Sequence, residues 1–221
     1  MSFADKAIKY FSELQPQRLK FKGVELINPY ESPAVRSVVQ KFYNKFYNDK
    51  NKRIFVFGIN PGRFGGGLTG ISFTDPIALK EHCVIKNDLG DRKELSSKFI
   101  YHVINEFGGT SGFFSKVYLT ALYPFAITKN GKNYNYYDEK SLAEKLKPDI
   151  IRTINSQIDF GARREVAILL GKRNAEYFSN LNSEHKLFKK IIVLEHPRYI
   201  MQYRLKKITH YVKKYIDAMC C

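Results

Sequence analysis

Four short apolar runs, residues 54–59, 117–122, 166–170 and 190–194, are separated by stretches in which apolar residues recur every three or four positions. Runs this short and this apolar are the pattern of strands covered on both faces, and their alternation with helical periodicity marks a parallel α/β sheet. Helix signals fall between the runs. Ser32 is an N-cap followed by Pro33 in the first helical position, predicting a helix through Tyr47. A second helix over residues 96–107 ends at Gly108-Gly109, and Pro148 opens a third over residues 149–158. Leu205, Ile208, Val212, Tyr215 and Met219 recur at helical spacing and predict a terminal amphipathic helix. No repeat, low-complexity tract or linker interrupts the chain. Residues 1–221 are therefore expected to form a single domain, a three-layer α/β/α sandwich around a central four-stranded parallel sheet.

In open parallel sheets, ligands bind beyond the carboxyl ends of the strands. Two polar clusters stand at such ends: Asn60-Pro61-Gly62 after the first run and His196-Pro197-Arg198 after the last. Right-handed crossovers put both on the same edge of the sheet, so residues far apart in sequence can face one pocket.

Charge narrows the choice of ligand. The chain carries a net charge of +16, and nine Lys/Arg against the single acid Glu195 lie between Lys186 and Lys214. A polyanion is the natural partner of such a surface, nucleic acid ahead of an anionic membrane. No apolar run approaches the roughly 20 residues of a bilayer span, and the first eleven residues lack a signal-peptide core. A cytoplasmic address is the expectation. Cys83, Cys220 and Cys221 are too few and too badly spaced for a zinc site or a four-cysteine iron–sulfur cluster, and are read as reduced thiols.

The stretch from Gly58 to Phe73 is the most informative: six glycines and a proline follow a buried strand, making a loop whose backbone can approach a flat ligand or a phosphate. The plain alternative is a turn-rich connection. No Gly-Lys-Ser/Thr closes the loop and G-x-G-x-x-G spacing is absent, which argues against a nucleotide- or phosphate-binding enzyme of the P-loop or dinucleotide kind.

This segment resembles the first motif of the single-strand-selective monofunctional uracil-DNA glycosylases, G-M-N-P-G-P-F-G-x-x-x-T-G-x-x-F. It departs only at Ile59 and Arg63. Asn28-Pro29-Tyr30, Phe113-Phe114, Pro124, Gly131-Lys132-Asn133 and Leu170-Gly171-Lys172 extend the similarity, and His196-Pro197 matches the second motif. The resemblance implies a monofunctional DNA glycosylase of base excision repair, needing neither metal nor organic cofactor and acting as a monomer on DNA. No lysine occupies a motif position suited to Schiff-base attack.

By the same resemblance Asn60 positions the attacking water, although an amide is a poor base and some branches use a faster aspartate here. His196 donates a hydrogen bond to the base oxygen where charge develops, and Phe73 stacks on the flipped base. Ile59, Gly62, Thr120 and Ala121 complete the base pocket. Arg63, Lys132, Gly171, Lys172, Arg198, Tyr199, Ile200, Met201 and Arg204 face the DNA. Plainer roles stand beside these: Asn60 tying down its own turn, Phe73 in the core.

Two departures matter. Arg198-Tyr199-Ile200-Met201-Gln202-Tyr203-Arg204 replaces the family's continuation after His-Pro. It reads either as a loop that contacts phosphates and wedges the base stack, or as a helix start packed on the body. The family's base-reading asparagine falls at Ala121, next to Thr120, so readout passes to Thr120, backbone or water and other deaminated bases become candidates. The same loss motivates a rival reading, a catalytically inactive nucleic-acid-binding module, against which intact Asn60 and His196 argue.

Overall fold

In a computed structural model, which describes residues 1–220, the chain runs through α1 (Phe3–Glu13), β1 (Val24–Ile27), α2 (Pro33–Phe46), β2 (Arg53–Gly58), α3 (Gly66–Thr69), α4 (Pro76–Glu81), α5 (Leu95–Glu106) and α6 (Gly109–Lys116). It continues through β3 (Val117–Ala121), β4 (Ala126–Lys129), β5 (Lys132–Tyr134), α7 (Lys140–Gly161), β6 (Ala162–Leu170), α8 (Lys172–His185), β7 (Lys190–Leu194), α9 (Pro197–Tyr203) and α10 (Ile208–Met219). The four expected strands pair in the order β3-β2-β6-β7, every pair parallel.

Side chains alternate across a strand. Phe55 and Phe57 of β2 therefore share one face, where the rings of Phe3 (α1) and Phe178 (α8) pack against them at 6.3 and 5.5 Å between centroids. Ile54 and Val56 point the other way and are equally buried, so both faces of β2 are covered. The expectation of double coverage fails for β7, where Val193 is exposed and Ile191 and Ile192 are half-buried. β7 is the edge of the sheet, with a neighbour on one side only.

Arg53 fixes the start of β2. Its fully buried guanidinium grips the Asp49 carboxylate with two nitrogens, at 2.9 and 2.7 Å, and its Nε donates to the Phe114 carbonyl at 2.7 Å. The rings of Phe3 and Tyr47 lie 4.8 and 4.7 Å from it, so the charge is both paired and stacked.

Two features depart from the sequence expectation. Pro148 lies inside α7 rather than opening a helix. A mid-helix proline removes one backbone donor. The neighbouring carbonyls of Ala143 and Lys145 accept from Tyr177 Oη and Gln17 Nε2, and a buried face from Leu142 to Phe160 holds the helix together across the proline. Second, β1, β4 and β5 form a separate antiparallel sheet in the order β1-β4-β5. Its strands are three or four residues long and mostly too polar to register as apolar runs. Of the two readings offered for residues 198–204, the packed helix is the one observed, as α9. Cys83 and Cys220 are free thiols, and Cys221 lies outside the described residues.

Candidate active site

Because β2, β3, β6 and β7 are parallel, the residues at or just beyond their carboxyl ends, Asn60, Ala121, Gly171 and His196, gather on one edge of the sheet. A cleft of about 380 Å³ opens there, lined by Asn60, Gly62, Phe73 and Ala121 on the strand-end side, by Tyr134 and Asn135 on one flank, and by Glu94, His196 and Arg198 on the other.

Asn60 does not tie down its own turn. Its Nδ2 donates to the Tyr134 carbonyl at 3.0 Å and its Oδ1 accepts from the Tyr136 amide at 3.3 Å. These two bonds fix which way the amide faces and leave one N–H and one oxygen lone pair for a ligand or water. The wall that holds it, between β5 and α7, is itself propped by Tyr136 Oη donating to Asn174 Oδ1 at 2.7 Å, with Asn174 Nδ2 donating to the Phe57 carbonyl at 3.2 Å.

His196 is the N-cap of α9, and its Nδ1 accepts from the Arg198 amide at 3.2 Å. With Nδ1 used as acceptor, a neutral ring carries its proton on Nε2. Burial, reinforced by the nearby Arg198 guanidinium, pushes the imidazole pKa down from 6.5 to about 4. The result is a neutral donor at neutral pH. Phe73 lies beside it, the two rings 6.2 Å apart and tilted by 48°. Phe73 has φ of +56°, a left-handed backbone unusual for a bulky residue, and its Cζ lies 2.5 Å from where a Cβ on Gly58 would stand. Only glycine at the end of β2 lets that ring cover the strand terminus. Backbone strain of this kind concentrates at functional sites.

The structure separates the remaining expected residues. Ala121 lines the cleft, but Thr120 does not: its hydroxyl donates to Gln157 Oε1 of α7, as alternation along β3 requires. Thr120 is therefore not the missing reader. Arg63 is committed to the β4–β5 hairpin, its amide donating to Asn133 Oδ1 at 3.1 Å and its guanidinium to the Gly131 carbonyl, with Phe64 beneath at 4.4 Å. Ile200 and Met201, expected to face DNA, are buried, because α9 packs its inner side against α5. The outer side of α9 presents Arg198, Tyr199 and Tyr203 instead, and Arg204 at its C-cap lies 5.3 Å over the Tyr199 ring. Ile59 and Gly62 border the cleft, Lys132 and Lys172 are exposed, and Gly171 approaches the His196 side chain.

Glu94 has no counterpart in the sequence reading. It caps α5 without a side-chain capping bond, and its carboxyl fills the hollow beside Gly62 and Gly65, where a Cβ on either would lie within 2.4 Å of it. Burial raises its pKa, against the pull of Arg198 and with help from Asp75. No motif marked it, since it sits in a polar stretch that only the fold carries to the glycine-rich loop.

The sequence model of the Uracil DNA glycosylase superfamily matches residues 44–220. The chain belongs to the uracil DNA glycosylase superfamily. The crystal structure of wild-type SMUG2 from Pedobacter heparinus is similar in the same sense, superposing with a TM-score of 0.95 at 41% identity over 99% of this chain and 97% of that one. No curated protein matched the chain by sequence. The superfamily's α/β fold agrees with the four-stranded parallel sheet described above, and its members act on DNA. Among the described residues there is no group of three His, Cys, Asp or Glu able to hold a metal ion, and no helix long and apolar enough to cross a membrane.

Proposed function

We propose that the chain is a monofunctional DNA glycosylase that hydrolyses the N-glycosidic bond of uracil or a related deaminated base. The observation that carries this reading is the pairing, in one cleft, of a clamped Asn60 amide with a neutral His196 whose proton sits on Nε2. A base flipped from the stack enters between Phe73 and the strand ends. As the C1′–N bond breaks, its electron pair passes to the base, and His196 Nε2–H donates to the oxygen on which that charge accumulates. A preorganised donor of this kind is commonly worth a factor of about 10²–10³ in rate. The free lone pair of Asn60 holds a water against C1′. That water forms the new C–O bond, its surplus proton leaves to solvent, and the products are an abasic site and the free base.

Arg198, which lines the cleft, and the exposed Tyr199, Arg204, Lys132 and Lys172 supply the DNA contacts. Both sheets share one hydrophobic core, which supports a single working domain. The Ala121 methyl group cannot hydrogen-bond and Thr120 is turned to Gln157, while the amides of Asn133 and Asn135 in the cleft wall are engaged by the Arg63 backbone amide and by Asp138. A broader range of deaminated bases follows.

The test is single-turnover cleavage of oligonucleotides carrying uracil, hypoxanthine or xanthine, read as alkali-labile abasic product. Asn60→Ala and His196→Ala should each lower the rate at least about tenfold while DNA affinity stays close to wild type, because both groups act on the transition state. Rates within twofold of wild type for either variant would remove that residue from the site. Absence of any cleavage by the unmodified protein would favour the binding-module reading.

A further inference from the structure

Glu94 stands in the cleft without a task in the reaction described above. Its carboxyl makes no hydrogen bond or ion pair to any described residue, although its backbone is held firmly, the amide donating to Asp75 Oδ2 at 2.8 Å. The hollow it occupies exists because Gly62 and Gly65 lack side chains. A half-buried, unpaired carboxyl aimed at a ligand cleft costs stability unless a ligand uses it.

We propose that Glu94 is a specificity-determining catalytic acid for deaminated purines, its carboxyl donating to the ring nitrogen N7 of the flipped base. This rests on the glycosylase reading given above. His196 takes one exocyclic oxygen of the base from the β7 side, and Glu94 meets the base from the Gly62–Gly65 side. A purine offers an acceptor nitrogen there, whereas a pyrimidine has only C–H at the equivalent edge. When the C1′–N9 bond breaks, its electron pair passes into the purine, N7 takes the carboxyl proton, and the base leaves neutral. Water bonds to C1′, and the proton it sheds returns through solvent to the Glu94 carboxylate, so the enzyme is regenerated.

The step needs Glu94 in its acid form, and its surroundings bear on that. Asp75 at the start of α4 opposes ionisation, Arg198 on α9 favours it, and burial, the largest influence, opposes it. Lys93 precedes it on its own segment, His196 is neutral, and Arg63 in the facing loop is bound to the β4–β5 hairpin. The acid form therefore persists to higher pH than in an ordinary glutamate.

The experiment measures single-turnover rates of the full chain on oligonucleotides with hypoxanthine or uracil between pH 5 and 7.5, for wild type and Glu94→Gln. In wild type, the hypoxanthine-to-uracil rate ratio should fall as pH rises through the Glu94 pKa. In Glu94→Gln the ratio should be at least about tenfold lower at pH 5 and flat with pH, since general acids commonly contribute a factor of about 10²–10⁴. A variant ratio equal to wild type, or with the same pH dependence, overturns the proposal. Should Glu94→Gln fail to fold, a flat wild-type ratio overturns it and a falling one supports it. Release of uracil but never hypoxanthine sinks the proposal and leaves the glycosylase reading standing. Release of neither base sinks both.

Discussion

Ala121 is the residue at which this chain parts most clearly from the pattern its glycine-rich loop resembles, and the consequences are local. Its methyl group lines the cleft at the position where, by that resemblance, a base-reading asparagine is expected, while the neighbouring Thr120 hydroxyl is bound to Gln157 on the far side of β3. Losing one hydrogen-bond partner at a buried polar edge costs about 1–3 kcal/mol, enough to erode a tenfold to hundredfold preference. Stacking on Phe73 does not compensate, because every base has an aromatic face. Ala121→Asn should therefore raise the uracil-to-hypoxanthine rate ratio by about tenfold, read from single-turnover rates on matched oligonucleotides. An unchanged ratio in a folded variant would place the readout in backbone or water.

α9 shows how an element can reassign residues that sequence had grouped together. Its seven residues begin at the His196 cap, and the helical turn sends Ile200 and Met201 inward while Arg198, Tyr199 and Tyr203 face out. The apolar residues that the sequence offered as a wedge for the base stack belong to the core, and the rings left exposed on this helix are those of Tyr199 and Tyr203, 5.5 Å apart. Arg198 and Arg204 are both solvent-exposed. Each phosphate contact on duplex DNA contributes about −0.9 to the slope of log K against log salt. Arg198→Ala and Arg204→Ala should each flatten that slope by about one unit, measured by fluorescence anisotropy across a salt series. An unchanged slope for both would move the DNA surface to the lysines between Lys206 and Lys214.

At the scale of the molecule, the site couples to stability through His196. Its pKa is 6.5 when unfolded and about 4 in the folded protein, so between these values the unfolded chain binds a proton that the folded one refuses. Stability is full above about pH 6.5, declines as pH falls toward 4 by at most about 1.4 kcal/mol per unit, and changes no further from this group below that. Asp49, held low chiefly by its hydrogen bonds from Arg53, and Glu184, held low by Lys147, add losses of the same sign at more acid pH. His196→Asn removes only the histidine's share. Chemical denaturation at pH 7 and pH 4.5 should show wild type losing more stability than the variant over that interval. Equal losses would mean that the imidazole titrates normally.

The sequence by itself determined the parallel sheet and the two ends that carry the chemistry. Apolar runs of five or six residues with helical segments between them leave few other folds, and Asn60 and His196 stand one and two residues past the ends of such runs, so strand direction alone brings them to one edge. What the sequence could not decide depended on contacts between segments without local pattern. The β1-β4-β5 sheet pairs residues some hundred positions apart through strands too short to announce themselves, and it is the end of that sheet that clamps Asn60 and Arg63. Pro148 reads locally as a helix start, yet burial along α7 outweighs one lost hydrogen bond. Glu94 acquires meaning only because two glycines far from it in the chain leave a hollow of its size. Periodicity records which face of an element meets the core, and it carries no record of which distant side chain that face will meet.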